Sequence, residues 1–118
     1  MNEDLKISEM LDFSKQLWEK NKNSWSPMSP EYGKDFILYM IEEIGEVIAI
    51  LKKKGCDSVM KDKEIRNHFT EEMCDVMMYF SDTLNRFGIS PKEFSEIYTE
   101  KFNKNLKRNY TEEYKNIK

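Results

Sequence analysis

The sequence predicts an all-α fold: an antiparallel four-helix bundle formed as one domain over residues 1–118. Three observations predict it. Apolar residues recur at helical spacing in four separate stretches. All three prolines fall in a loop or at a helix's first position, and no stretch shows the strict alternation of a strand. Two long segments also carry acid with no base beside it, a pattern that suits facing helices. Helix spacing alone accounts for their layout.

The first helix is expected over about Glu3 to Lys20, where Ile7, Met10, Leu11, Leu17 and Trp18 repeat at helical spacing. A loop with Pro27, Pro30 and three serines follows from Asn21 to Glu31. The second helix runs from about Gly33 to Lys54 and stops at Gly55 after three lysines. Cys56 to Asn67 reads as a polar connection with at most a short helical turn. The third helix is expected to start near His68 to Thr70 and to end at Phe87, before Gly88. The fourth has the clearest start. Ser90 is an N-cap, Pro91 a first helical residue and Glu93 a capping-box glutamate. It continues to about Arg108, and residues 109–118 read as a frayed polar tail.

The two acidic segments are Glu42-Glu43-Ile44-Gly45-Glu46 and Glu71-Glu72-Met73-Cys74-Asp75. No Lys or Arg occurs from Phe36 to Leu51, or from Phe69 to Asn85, although the chain holds 19 basic residues. Glu43 and Glu46 are three apart, as are Glu72 and Asp75, so each pair shares a helix face. Met40, Ile44, Val47, Ile48 and Leu51 oppose the first acid sector. Met73, Val76, Met77, Phe80 and Leu84 oppose the second. Carboxylates crowded in an apolar setting repel unless a cation neutralises them. The expected arrangement is a divalent metal site shared by two helices, and the alternative is two solvated acidic faces.

Composition narrows the chemistry. Oxygen donors without Cys or a paired His suit Mg²⁺, Mn²⁺ or Ca²⁺ rather than zinc. His68 is the one histidine, so the Glu-x-x-His pairs of di-iron bundles are missing. A net charge of −3 gives no general affinity for nucleic acid or anionic lipid. No apolar run reaches the length of a membrane span, and the start lacks a signal-peptide pattern, so a cytoplasmic protein is expected. Cys56 and Cys74 have no metal-type spacing and are expected as reduced thiols.

The paired motif, Glu-Glu-x-x-Glu at 42 to 46 and Glu-x-x-Asp at 72 to 75, resembles the MazG-like all-α nucleoside triphosphate pyrophosphohydrolases. That superfamily includes dimeric dUTPases and dCTP pyrophosphatases. The likeness spans roughly residues 25 to 108 and extends to Asp75-Val76-Met77 and the segment Lys101 to Arg108. It implies a single-module, Mg²⁺-dependent enzyme, with Mn²⁺ as a substitute, releasing monophosphate and pyrophosphate from a nucleoside triphosphate. Glu43, Glu46, Glu72 and Asp75 would then be the metal ligands. Glu42 would bind a further metal or position the attacking water. Lys101, Lys104, Asn105 and Arg108 share a stripe of the fourth helix. Of these, Lys101, Asn105 and Arg108 correspond to the family's substrate contacts.

Other residues carry two readings each. Tyr79 shares the acid sector and either contacts the nucleotide or hydrogen-bonds a ligand carboxylate. Trp25 either stacks on a base or anchors its loop. His68 sits near a helix start as a surface or structural residue, and Lys52-Lys53-Lys54 reflects the preference of cations for helix ends. One small bundle supplies few walls for a substrate pocket, so a homodimer or homotetramer is expected. The non-enzymatic alternative is a helical interaction module whose acid faces bind a basic partner.

Overall fold

In the computed structural model, which describes residues 3–117 with side chains to residue 113, the chain is all-α. Five helices follow one another: α1 (Ile7–Asn21), α2 (Gly33–Lys61), α3 (Lys63–Arg86), α4 (Pro91–Lys107) and α5 (Tyr110–Ile117). A single 3₁₀ turn, Pro30–Tyr32, leads into α2. The α2–α3 hairpin is the centre of the bundle, α1 packs on α3, and α4 leans on α1. No described helix is long and apolar enough to cross a membrane.

Local chemistry sets the helix boundaries. The Lys6 N–H donates to the Glu9 carboxylate at 2.9 Å, so α1 starts at Ile7, the first residue of its apolar repeat and four after the expected Glu3. Ser90 caps α4 as expected, accepting from the Glu93 N–H at 3.1 Å. Two expectations need correction. The polar connection expected over Cys56 to Asn67 is helical on both sides of Asp62. The Asp62 carboxylate accepts from the N–H groups of Glu64 (3.0 Å) and Ile65 (3.2 Å), and so opens α3 five residues before His68. The frayed tail is also helical from Tyr110 to Ile117, because Asn109 Oδ1 accepts from the Glu112 N–H at 3.1 Å. Residue 118 lies outside the described residues.

Gly55 interrupts α2. Its φ of 81° and ψ of 158° lie in a region that L side chains rarely adopt, and the helix axis breaks there. The expected stop at Gly55 is therefore real, but the chain resumes helix for one more turn and a half before Asp62.

The core is small. Leu11, Phe36, Val47, Ile50, Val59 and Leu84 are its buried apolar side chains. The face of α2 expected to be apolar core is only partly so. Val47 is buried, yet Ile41 is 56% exposed, and Ile37, Ile44 and Ile48 also face outward. Met73 and Met77 of α3 are exposed as well. Within one chain, α2 and α3 turn their carboxylates toward each other and leave an isoleucine stripe uncovered.

One buried ion pair ties the loop after α1 to the hairpin. Arg86 is 2% exposed and bonds Asp82 one turn earlier on α3. Its Nη1 donates to the Pro27 carbonyl at 2.6 Å, and its guanidinium lies 3.6 Å over the Phe36 ring. The Trp18 indole N–H donates to the Ser26 carbonyl at 2.9 Å, fastening the same loop from α1. The Asn85 side chain closes the third side by donating to the Leu11 carbonyl at 2.9 Å. Burial pushes the Asp82 carboxyl up, and Arg86 partly counters it.

Replacing Arg86 by Met should therefore be severe, because it strands a buried carboxyl and frees the loop. A loss of about 3–5 kcal/mol in urea unfolding is expected. Arg86→Lys should recover little, since an ammonium cannot reproduce the planar stack and the carbonyl bonds together. An unchanged urea midpoint in Arg86→Met would show that the loop is held by other contacts.

Candidate metal and nucleotide site

The two acidic motifs meet across the α2–α3 contact. Carboxylate oxygens of Glu43, Glu46 and Glu72 all lie within 4.8 Å of one another. The spacing argument explains why: Glu43 and Glu46 share one face of α2, and Glu72 comes from the facing turn of α3. Asp75 stands close enough to act on both Glu43 and Glu72 electrostatically. Glu42 is exposed beside them and acts on Tyr79.

Within the cluster the carboxylates crowd one another. Burial, a hydrogen bond with Glu72, and the charges of Glu46 and Asp75 push the Glu43 carboxyl up to about 7. A hydrogen bond with Glu46 raises Glu72 most, followed by burial, while its bond with Glu43 works the other way. A proton shared between Glu43 and Glu72 fits this pattern. Burial first, and then the charges of Glu43 and Asp75, raise the Tyr79 hydroxyl. One oxygen each of Glu43 and Glu72 is buried with no hydrogen-bond partner. Buried, unpartnered carboxylate oxygens in an all-oxygen donor set fit a hard divalent cation.

Tyr79 sits at the aromatic end of this site. Its ring centroid is 5.8 Å from that of Tyr39 and 6.2 Å from that of Phe36. Behind this trio a cleft of about 550 Å³ opens between α1 and α3, with Trp25, Phe36, Met73, Met77 and Tyr79 among its lining residues. Trp25 thus lines a cleft that it shares with Tyr79, as well as belonging to the fastened loop.

The C-terminal cations are placed elsewhere. Arg108 Nε bonds Glu113 at 2.9 Å, its Nη1 reaches Asn105 at 3.3 Å, and its guanidinium lies 4.6 Å over Tyr110. Lys101 has no ion pair among the described residues. Helix α4 leans on α1, and Phe94, near its start, meets Phe80 of α3. A single chain does not bring Lys101, Asn105 and Arg108 to the carboxylates.

Sequence reasoning missed the cations that do lie next to the carboxylates. A second cleft, of about 450 Å³, is lined by Glu46, Glu72, Lys53, Lys54 and His68. Their spacing carried the signal. Lys53 and Lys54 are seven and eight residues after Glu46 on α2, and His68 is four before Glu72 on α3.

Residues 40–117, which carry both acidic motifs, match the family model described as dATP/dGTP pyrophosphohydrolase. The chain belongs to that family. It is a MazG-like family, as the paired motif implied, and its description is that of a hydrolase acting on nucleotides. The match runs through α5, beyond the span of the original resemblance. No curated protein and no solved structure matches the chain.

The carboxylate cluster gives a pH-dependent stability with a defined sign. Folded Glu43 titrates at about 7 against an ordinary value of 4.5, so the folded state holds this proton more tightly than the unfolded state. Its contribution is fully present below 4.5 and is lost as pH rises through about 7. Thermal melts in the presence of a chelator should show Tm falling across that window. Glu43→Gln should flatten the fall, and an unchanged slope would place the shared proton elsewhere.

Proposed function

We propose that this protein is a divalent-metal-dependent pyrophosphohydrolase of purine deoxynucleoside triphosphates, releasing monophosphate and pyrophosphate. The observation that carries the reading is the cluster of Glu43, Glu46 and Glu72 with unpartnered oxygens, in a chain of the dATP/dGTP pyrophosphohydrolase family. Glu43, Glu46, Glu72 and Asp75 would hold Mg²⁺, or Mn²⁺ in its place. Such an ion supplies charge neutralisation of phosphate oxygens and a water of lowered pKa.

The chain's own residues do the rest. Tyr79 and Trp25 offer aromatic surface for a base, whose faces stack on such rings. Glu42 orients the attacking water and takes its proton. The water oxygen bonds the α-phosphorus, the bond from that phosphorus to the α–β bridging oxygen breaks, and pyrophosphate departs with that oxygen. Little covalent chemistry is asked of the protein, only position and charge.

Hydrolysis of dATP and dGTP in ¹⁸O-labelled water tests the reading. The label is expected in the monophosphate. Label confined to orthophosphate would mean attack at the γ-phosphorus and would end the pyrophosphohydrolase assignment. Glu46→Gln and Asp75→Asn should each abolish turnover with the helical circular dichroism intact.

The working form is proposed to be a homodimer, alone or paired into a tetramer. Ile37, Ile41, Ile44 and Ile48 fall at the four- and three-residue steps of a helix-pairing seam, and all four are exposed in one chain. The occupant that suits such a seam is the same stripe of a second copy, since a two-fold axis lets one patch cover itself. Light scattering should give at least twice the chain mass. Ile41→Glu with Ile48→Glu should shift it toward the monomer, and a monomeric wild type would remove the proposal.

A further inference from the structure

The cleft that Lys53, Lys54 and His68 share with Glu46 and Glu72 has its nitrogen-bearing side chains unused in the reading above. It lies between the last turns of α2 before Gly55 and the opening turns of α3, and Ile50 and Ile65 also line it. The positive φ of Gly55 breaks the helix directly after Lys54, so the three lysines end one straight segment. The side chains of Lys53, Lys54 and His68 make no ion pair with any described residue. Glu46, Glu64 and Glu72 share the cleft and oppose an anion there, but none is paired with either lysine.

Along the hairpin the side chains are therefore sorted into aromatic, acidic and basic groups. Phe36, Tyr39 and Tyr79 cluster at one end, and Glu43, Glu46 and Glu72 meet in the middle. Lys53, Lys54 and His68 stand at the other end. At a rise of 1.5 Å per residue, Tyr39 and Lys53 are each about 10 Å along the axis from Glu46. A nucleoside triphosphate has the same order: base, the phosphorus under attack, then a strongly anionic tail. With the α-phosphorus at the carboxylates, the tail must leave toward one end. The α1–α3 cleft at the aromatic end is mostly apolar, which disfavours charged phosphates.

Resting on the pyrophosphohydrolase reading, we infer that Lys53, Lys54 and His68 form a pyrophosphate-binding cleft. The substrate then lies lengthwise on the α2–α3 hairpin, with its base toward Tyr79 and its phosphate tail toward Gly55. Lys53 and Lys54 donate charge-assisted hydrogen bonds to the β- and γ-phosphate oxygens, and His68 donates a ring N–H from the facing helix. The leaving group is thereby held by residues that do not touch the base. The cations of α4 are not needed for it within one chain.

Calorimetric titration with inorganic pyrophosphate in the presence of Mg²⁺ tests the cleft without turnover. In Lys53→Gln with Lys54→Gln, pyrophosphate affinity should fall about tenfold or more, the loss of one or more charged hydrogen bonds. Affinity for dAMP and dGMP should be unchanged, since the monophosphate leaves that cleft empty. His68→Gln should weaken pyrophosphate by a smaller factor. Both lysines are exposed, and Gln keeps the helix, so circular dichroism should match wild type. Unchanged pyrophosphate affinity in the double variant, or no pyrophosphate binding by wild type, overturns the cleft even if dATP and dGTP are turned over. Binding that depends on Lys53 and Lys54 in a protein that releases no pyrophosphate keeps the cleft and removes the enzymatic reading instead.

Discussion

The mutual repulsion of three carboxylates across one helix pair is the constraint on which the rest of the structure depends. Glu43, Glu46 and Glu72 sit within 4.8 Å of one another, and burial first, then a hydrogen bond with Glu72 and the neighbouring charges, push Glu43 up to about 7. A hairpin that turns such groups inward gives up apolar contact along its best-packed seam. The consequences run outward from there. The apolar side chains that α2 would otherwise bury against α3 are displaced to the outer face, as Ile41 and Ile48 show. Among the described residues, the core of a single chain is left with six buried apolar side chains.

What keeps the hairpin closed lies away from the acids. Arg86, one turn after Asp82, gathers the Ser26–Pro27 loop, the Phe36 ring and α3 around one guanidinium. Phe36 then packs on Tyr39 and Tyr79, and Tyr79 lies within the field of Glu43 and Asp75. The buried pair and the carboxylate cluster are thus joined through one aromatic group. This couples the loop carrying Trp25 to the chemistry without direct contact between them. A strained centre held by a rigid, fully desolvated anchor is a common division of labour in small enzymes, because the anchor keeps the site from relaxing.

Glu43, Glu46 and Glu72, the residues that meet across the hairpin, are all carboxylates. No sulfur or imidazole is available within the cluster, so a soft metal has nothing to prefer there. The family's description names nucleoside triphosphates, phosphate-bearing molecules for which hard cations and oxygen ligands suffice.

Much of this was legible in the chain itself, because helix periodicity is local. The all-α class, the cap at Ser90, the break at Gly55 and the juxtaposition of the two acid motifs follow from three- and four-residue spacing. The caps at Asp62 and Asn109 were written in the same code, yet polar surroundings hid them, since a cap is one side chain and not a pattern. Tertiary structure alone decided that the apolar stripe of α2, with Ile41 and Ile48, is left uncovered in one chain. Periodicity marks that stripe as apolar but does not say what covers it. It likewise decided that Lys53, Lys54 and His68 border the acids while Arg108 pairs with Glu113. Those neighbours come from the antiparallel register of α2 on α3 and from α4 leaning on α1, contacts between residues far apart in sequence that no local spacing encodes.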